Sequence, residues 1–463
     1  MLSSAIKRTS DYFLIGFVMV LAGALRVYRA SHELWLDEAL SYHFVTTRSL
    51  SNLLFSLPLT DPHPPLYYII LHGWIQIAGT SEIALRMPSI VFGTISVGAF
   101  YYLVKIVFDR PTALLSALLM AISPFFIRYS QEVRMYALAV LLTVTATYFF
   151  YRATKTQSSL YYLEYIISAV LLGYTHVWGL LILWSHILYI GYLFSKGRNR
   201  NNIVAWFTTF ASVGILLSPW VGSLLWRAFF ESSDALNWLS PPSIRYLLLT
   251  PVMWVTGIGT HYSLILLVPV AIFAGLLWLI SIIKPIDNQF KVWTSDISLL
   301  SSRSKYIVPS SNSTGIIFAF LLLVPLITGI VLSHLIKPMY HIRSTIMVAV
   351  GFYALLARGI ILSQRVKLKS YIPGICALIL VLGLISTLPV YYGESSQEPW
   401  KNSTNQIQHA ADENDLILIT DRYMQSIYAY YADNTSATVI TIAEDPSRDN
   451  GVQPIYNSFA LVA

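Results

Sequence analysis

The chain has 463 residues, of which 56% are hydrophobic and only 11% are charged, and its formal net charge is +7. Soluble domains carry about 25% charged residues, so this composition excludes an ordinary soluble protein. The basic residues lie in short loops between apolar runs of about 20 residues, where orientation signals of membrane proteins occur, and they do not indicate nucleic-acid binding. A single cysteine excludes a disulfide framework and a cysteine-rich metal site.

The hydropathy pattern predicts about eleven membrane-spanning helices. If the N-terminus is cytoplasmic, every loop predicted on that side contains Lys or Arg, as the positive-inside rule requires. We therefore expect a multi-pass protein of the inner or plasma membrane, whose first loop (31–81) and last segment are extracytoplasmic. The predicted spans are 12–30, 82–106, 111–127, 132–151, 160–176, 178–194, 203–223, 262–283, 314–334, 344–361 and 372–391.

The chain is predicted to contain two parts, a transmembrane domain at 1–391 and a small extracytoplasmic α/β segment at 392–463. Within the first outer loop, residues 39–57 and 66–78 have apolar faces with aromatic edges, which is typical of helices that lie along the membrane interface. The long stretch 224–261 is predicted to be an outer loop.

An acidic pair, Asp37 and Glu38, follows the first predicted span. Ionisable groups beside a bilayer are costly and are therefore candidates for function. One interpretation is a general base that takes a proton from a hydroxyl group. The alternative is that one of the two carboxylates caps a helix that begins near Ala39, because Asp is favoured at that position.

A cationic turn containing Lys337, His341 and Arg343 lies on the same predicted outer face, against the positive-inside trend. Its cations either extend along apolar surface to reach water or bind a phosphate, for which Arg offers a fork of donors. An outer base and an outer phosphate-binding group are together the minimum for transfer from a lipid phosphate.

Further polar side chains fall at the predicted outer ends of the spans. His63 stands in a proline-flanked turn and is interpreted either as a metal ligand or as a hydrogen-bond donor to a carbonyl group. No two of the acidic and histidine candidates have a tight ligand spacing, so the sequence defines no set of metal ligands. A divalent metal ion stays an open alternative. The other candidates in these outer segments are Asp61, Glu132, Arg134 and His176.

Six motifs, taken in chain order, resemble those of the polytopic GT-C glycosyltransferases. They lie at 34–38, 63–68, 134–137, 174–176, 338–343 and 400–401. The resemblance is to the bacterial branch related to dolichyl-phosphate-mannose protein mannosyltransferases and lipid A aminoarabinose transferases. It implies an all-α polytopic GT-C fold and transfer of a sugar, a mannose-like hexose or a pentose, from a polyprenyl-phosphate donor. The acceptor would be a hydroxyl group of a lipid, glycan or protein on the extracytoplasmic face. The transfer would invert the anomeric carbon and need no nucleotide cofactor.

By matched position, the resemblance implies that Asp37 is the catalytic base and Glu38 its neighbour. His63 falls where related enzymes place an acidic metal ligand, and Lys401 stands where they have Arg. The donor phosphate is expected at Arg343, His341, Lys337 and Arg134, and the rest of the pocket at Asp61, Glu132, Tyr67 and His176.

Two other classes compete with this interpretation. A lipid or sugar transporter or flippase predicts ionisable groups near the membrane midplane and interrupted helices in paired halves. The candidates here gather at one face instead, which favours surface chemistry. An O-antigen-ligase-like transferase would also need an outer Arg, but the acidic pair directly after the first span favours a polyprenyl-phosphate donor.

Overall fold

Apolar helices make up most of the chain in the computed structural model, which describes residues 2–57, 63–199, 202–230, 239–257, 315–363, 372–393, 399–419, 422–432, 437–441 and 459–462. The first part contains α1 (Leu2–Val27), α2 (Leu36–Thr47), a π-helical turn (Asn52–Ser56), α3 (Leu66–Ala78), α4 (Glu82–Val107), α5 (Arg110–Ile122), α6 (Pro124–Ser130), α7 (Tyr136–Thr156) and α8 (Ser159–Gly173). It continues with α9 (Val177–Ser195), α10 (Ile203–Phe230), α11 (Ile244–Thr256), α12 (Ile316–Leu335), a 3-10 turn (Ile342–Thr345), α13 (Ile346–Ser363) and α14 (Ile372–Gly393).

Six of these helices are long and apolar enough to cross a membrane, and a seventh span is formed if the bent pair α5 and α6 is counted as one. Ten of the eleven predicted spans coincide with a helix or with that pair, and the span predicted at 262–283 lies outside the described residues. The prediction of an all-α polytopic membrane protein is confirmed.

The sequence analysis missed α11 and misjudged the first loop. The helix α11 has 13 residues and contains Pro251, so it is too short to register as a span. The predicted helix at 39–57 is interrupted at Arg48, whose extended backbone separates α2 from the π-helical turn. The apolar face of α3 is buried within the protein at Tyr67, Tyr68 and Leu71.

The bend between α5 and α6 measures 59° and occurs at Ser123 and Pro124. Pro124 has no N–H to offer the Met120 carbonyl, so that helical hydrogen bond is lost. The fully buried guanidinium of Arg26 in α1 replaces it, donating to the carbonyls of Met120 (3.4 Å) and Ala121 (3.1 Å). A buried cation of a neighbouring helix therefore donates the hydrogen bonds that these carbonyls lack within α5.

Gly93 in α4 allows this junction to close, because a Cβ atom there would lie 2.7 Å from Ser130 Cβ and 3.1 Å from Arg26 Nε. We expect Gly93→Ala to destabilise the protein by about 1–3 kcal/mol through overpacking. Thermal unfolding of purified protein measures the change. Gly16→Ala in α1 is the control, because its added Cβ meets nothing within 4 Å. A Gly93→Ala midpoint equal to that of Gly16→Ala would refute the steric argument.

After α14 the chain forms a small α/β segment. It consists of α15 (Trp400–Ala410), β1 (Leu416–Ile419), α16 (Arg422–Tyr431), β2 (Thr438–Thr441) and β3 (Phe459–Val462). The strand order is β2-β1-β3, with β1 parallel to β2 and antiparallel to β3. The helix α16 packs against α2, so this segment adjoins the acidic pair.

Candidate active site

The acidic pair lies in the first turn of α2, where negative charge is favourable at the positive end of the helix dipole. Glu38 Oε2 accepts a hydrogen bond from the Trp35 backbone N–H at 3.2 Å, which fixes the start of the helix. Successive helical residues are rotated by about 100° from each other, so Asp37 and Glu38 point in different directions. The two carboxylates consequently have different surroundings.

Glu38 is fully buried and is held by the equally buried Arg86 of α4. Arg86 Nε donates to Glu38 Oε1 at 2.8 Å and Nη2 to Oε2 at 2.5 Å, while the Val133 N–H also donates to Oε1 at 2.8 Å. The remaining donors of Arg86 bind the carbonyls of Ala30, His32 and Glu33. The Glu38 carboxylate is therefore engaged in holding the chain around Asp37, and a catalytic role for Glu38 stays a prediction.

Asp37 faces two guanidinium groups. Its Oδ2 accepts a hydrogen bond from Arg343 Nη1 at 2.7 Å, across 306 positions of sequence, and lies 4.0 Å from Arg134 Nη2. Burial disfavours ionisation of Asp37, but the charges of Arg134 and Arg343 outweigh it and hold its pKa below the usual value. The sequence-predicted base and the sequence-predicted phosphate ligand therefore meet.

Arg134 is almost completely buried and is held in place from several elements. Its Nη1 lies 3.3 Å from the Tyr68 hydroxyl and 3.4 Å from Ser41 Oγ. Its Nη2 donates to His63 Nε2 at 3.0 Å, which requires that nitrogen to be unprotonated. Ser89, hydrogen-bonded to Tyr67 at 2.8 Å, donates to the Arg134 carbonyl. Tyr67 thus supports the backbone of Arg134 through Ser89, and its place in the pocket stays a prediction.

The turn that carries Arg343 is fixed by α11 and α9. Tyr246 of α11 accepts the Ile342 N–H at 3.2 Å, and Trp178 Nε1 donates to the Met339 carbonyl at 3.2 Å. His341 caps the 3-10 turn through its Nδ1, and burial, with Arg343 beside it, lowers its pKa to about 4. His341 is therefore neutral near pH 7.

Trp35 lies beside the Arg343 side chain, whereas Lys337 belongs to the same turn as Arg343. The Arg343 guanidinium lies 5.7 Å from the centre of the Trp35 ring. Lys337 is half-buried six residues before Arg343, and its place at a donor phosphate stays a prediction.

Glu132 and His176 flank this centre. Glu132 pairs with Arg128 at 3.7 Å, its Oε2 is buried without a hydrogen-bond partner, and burial raises its pKa to about 7. His176 caps α9 by accepting the Trp178 N–H at 3.1 Å, and burial, reinforced by nearby cations, lowers its pKa to about 3. His176 is therefore a neutral structural cap near pH 7.

A metal ion does not fit the described residues around Asp37. The candidate pocket residue Asp61 lies outside the described residues, and within the described ranges no three His, Cys, Asp or Glu side chains are grouped to hold an ion. His63 Nε2 and Asp37 Oδ2 both face guanidinium donors, whose positive charge disfavours a cation.

Sequence analysis missed several residues that build this centre. Arg86 carried a usable signal, because a charged residue within a predicted span is unusual. Trp35 and Tyr68 lie in the quoted motifs but received no role. Ser41 and Tyr246 carried no signal, since their contribution depends on contacts that only the fold creates.

Comparison with known proteins adds a family match and a fold. Residues 62–226 match the family model described as dolichyl-phosphate-mannose-protein mannosyltransferase. The Archaeoglobus fulgidus oligosaccharyltransferase, in complex with Zn and sulfate, superposes with a TM-score of 0.57 at 12% identity, covering 92% of this chain and 62% of that chain. ArnT from Cupriavidus metallidurans bound to undecaprenyl phosphate gives 0.52 at 10% identity, covering 93% and 85%.

The chain has the GT-C fold. The matched family segment, residues 62–226, covers just over a third of the chain, whereas the likeness in fold extends over more than nine-tenths of it. No curated protein matches the chain by sequence. The GT-C chain spans only 62% of the length of the archaeal oligosaccharyltransferase. The matched segment contains Arg134 but neither Asp37 nor Arg343. The charged centre is therefore built from this segment together with residues before and after it.

Proposed function

We propose that this GT-C protein transfers a sugar from a polyprenyl-phosphate donor to a hydroxyl acceptor on the extracytoplasmic face of the membrane, with Asp37 as the base. The observation that carries the proposal is the carboxylate of Asp37, 2.7 Å from Arg343 and 4.0 Å from Arg134. The family description and the undecaprenyl phosphate in the ArnT structure support this donor class. The basic loops on the opposite side support the sidedness.

The donors of the centre suit a phosphate. Arg343 and Arg134 both lie against Asp37, whereas Arg86 is bound to Glu38. Guanidinium groups form strong hydrogen bonds to the oxygens of a phosphate ester. The planar guanidinium of Arg343 offers two parallel donors to phosphate oxygens.

The proposed reaction is a direct displacement. Asp37 accepts the proton of the acceptor hydroxyl, whose oxygen forms a bond to the anomeric carbon from the face opposite the phosphate. The bond from that carbon to the phosphate oxygen breaks, and polyprenyl phosphate departs with the electron pair. Arg343 and Arg134 stabilise the charge that develops on the leaving oxygen. The step is written without a metal ion, because the described groups that face Asp37 are guanidinium donors.

Donor binding would also change the strength of the base. Arg343 and Arg134 hold the pKa of Asp37 low in the ligand-free protein. A phosphate that shares these guanidinium groups partly neutralises them, so the pKa of Asp37 rises and its carboxylate becomes a better proton acceptor.

A transfer assay tests the proposal. Purified protein in lipid nanodiscs is given radiolabelled polyprenyl-phosphate sugars with a mixture of lipid, glycan and peptide acceptors. We expect release of free polyprenyl phosphate together with a labelled product. Movement of intact labelled donor between leaflets of proteoliposomes, without bond cleavage, would instead identify a flippase and contradict the proposal.

The Arg343→Ala substitution is expected to raise the KM for the donor about 10- to 100-fold, because a charge-assisted hydrogen bond contributes about 1.5–3 kcal/mol. Arg343→Lys should recover only part of the loss, since Lys offers a point charge rather than a fork. The control is Arg358→Ala in α13, which removes an arginine paired with Asp109. Donor titrations measure KM, and equal KM values for the two alanine variants would remove Arg343 from the phosphate site.

A further inference from the structure

The C-terminal α/β segment is joined to the chain directly before the acidic pair. The hydroxyl of Tyr431, the last residue of α16, accepts a hydrogen bond from the Leu34 backbone N–H at 2.6 Å. Leu34 is fully buried and lies one residue before Trp35, which caps α2. The two bonded residues are 397 positions apart.

Further contacts attach the C-terminal segment beside this junction. The Tyr430 ring packs edge-on against Tyr42 of α2 with centroids 4.9 Å apart, and its hydroxyl donates to the Thr80 carbonyl at 2.8 Å. The Lys401 N–H of α15 donates to the Glu33 carboxylate at 2.9 Å. The segment therefore holds both the residues before α2 and the loop after α3.

The Leu34 N–H precedes the helix and has no helical partner of its own. A buried backbone N–H without a partner costs about 1–3 kcal/mol, so Tyr431 is needed where Leu34 is buried. The next N–H, that of Trp35, is bound by Glu38. Two successive amides are thus fixed by side chains, one from α2 itself and one from the far end of the chain. Together these two hydrogen bonds determine where the first turn of α2 begins and therefore where Asp37 lies.

We propose that Tyr431 is a positioning residue of the transfer reaction, which holds Leu34 so that the Asp37 carboxylate meets the acceptor hydroxyl in the right geometry. The inference rests on the proposed function, because it assigns Asp37 the role of base. Tyr431 itself touches no reacting atom. It makes the C-terminal segment part of the catalytic apparatus rather than an appendage.

The test compares Tyr431→Phe with Tyr430→Phe in the full-length protein in nanodiscs. Each variant loses one hydroxyl and one hydrogen bond from the same helix, but only Tyr431 binds Leu34. We expect Tyr431→Phe to lower kcat about tenfold with the donor KM nearly unchanged, since misplacement by about 1 Å can cost up to 100-fold. Tyr430→Phe should keep kcat within about twofold. Equal kcat values for the two variants would overturn the proposal.

The pH profile separates positioning from loss of folded protein. Asp37 is faced by Arg343, Arg134 and His63, and Glu132 also contributes to its field. If α2 shifts in Tyr431→Phe, Asp37 moves away from the guanidinium groups and its pKa rises. The acid limb of kcat/KM then moves to higher pH, because the base must be ionised. A variant that only lowers the folded fraction would reduce activity equally at every pH, and that result would contradict the proposal.

Hydrogen exchange provides a readout that needs no activity. The amide of Leu34 and the first turn of α2 should exchange faster in Tyr431→Phe than in Tyr430→Phe, and equal exchange would reject the proposed contact. If the unmodified protein transfers no sugar from any polyprenyl-phosphate donor, the proposed function fails on its own, whatever the exchange data show. Faster exchange combined with an unchanged kcat would overturn the positioning role while leaving the proposed function intact.

Discussion

Asp37→Asn is expected to lower kcat by roughly 10²- to 10⁴-fold, the range that a general base contributes. Asparagine keeps the shape of the side chain but cannot accept the acceptor's proton. The donor KM should stay constant or fall, because Arg343 and Arg134 lose the carboxylate that competes with phosphate for their donors. Release of labelled polyprenyl phosphate under saturating donor measures kcat, and donor titrations measure KM.

The matched control is Asp412→Asn, an exposed aspartate of the C-terminal segment that should leave kcat unchanged. Asp37→Glu is a useful second variant, because it keeps the charge but displaces the carboxylate and should retain intermediate activity. An Asp37→Asn protein with full turnover would show that the base is another group. Loss of donor binding together with loss of kcat would instead indicate that Asp37 mainly orders the two arginines.

The second large effect is expected from Arg86→Met, which leaves the Glu38 carboxylate buried without its partner. Removing one member of a buried ion pair typically costs about 3–5 kcal/mol. The carbonyls of Ala30 and His32 would lose their donor as well. We expect the midpoint of thermal unfolding to fall by roughly 5 °C or more, with poor recovery of folded protein from membranes.

Lys105→Met is the control for this prediction. Lys105 pairs with Asp11 at 3.1 Å, but its side chain is 37% exposed, whereas those of Arg86 and Glu38 are 0% exposed. Exposed pairs contribute about 0–1 kcal/mol, so the unfolding midpoint should change little. If Arg86→Met is no less stable than Lys105→Met, the structural role that we assign to the Glu38–Arg86 pair is wrong.

The sequence predicts most of the fold because long apolar runs have few structural solutions in a bilayer. It also predicts that Asp37 and Arg343 share one face, through the alternation of loop charges. It does not reveal that Arg343 lies against Asp37, because such a contact depends on how helices far apart in sequence pack. The helix α11, which holds the Arg343 turn through Tyr246, is too short for a hydropathy pattern to distinguish from a loop.

The adjacency of Asp37 and Glu38 in sequence suggested a shared role, whereas the structure gives their carboxylates different partners. Because successive helical residues are rotated by about 100°, Glu38 enters the interior beside Arg86 while Asp37 faces the cationic centre. Tyr67 is a second example of what a motif does not reveal. Its place in the motif indicated the pocket, but not that its hydroxyl is hydrogen-bonded to Ser89. Motif matches locate a neighbourhood, whereas the direction of each side chain depends on local packing.

The bond between Leu34 and Tyr431 also bears on how the molecule is made. The ribosome must add 397 residues after Leu34 before Tyr431 exists, which takes about 20–80 s at roughly 5–20 residues per second. The first membrane helix is inserted early in that interval, yet the Leu34 N–H acquires this partner only after α16 has been synthesised. The start of α2 is therefore completed only after the first helix has been inserted, and a nascent chain released before α16 would lack the partner of the Leu34 N–H.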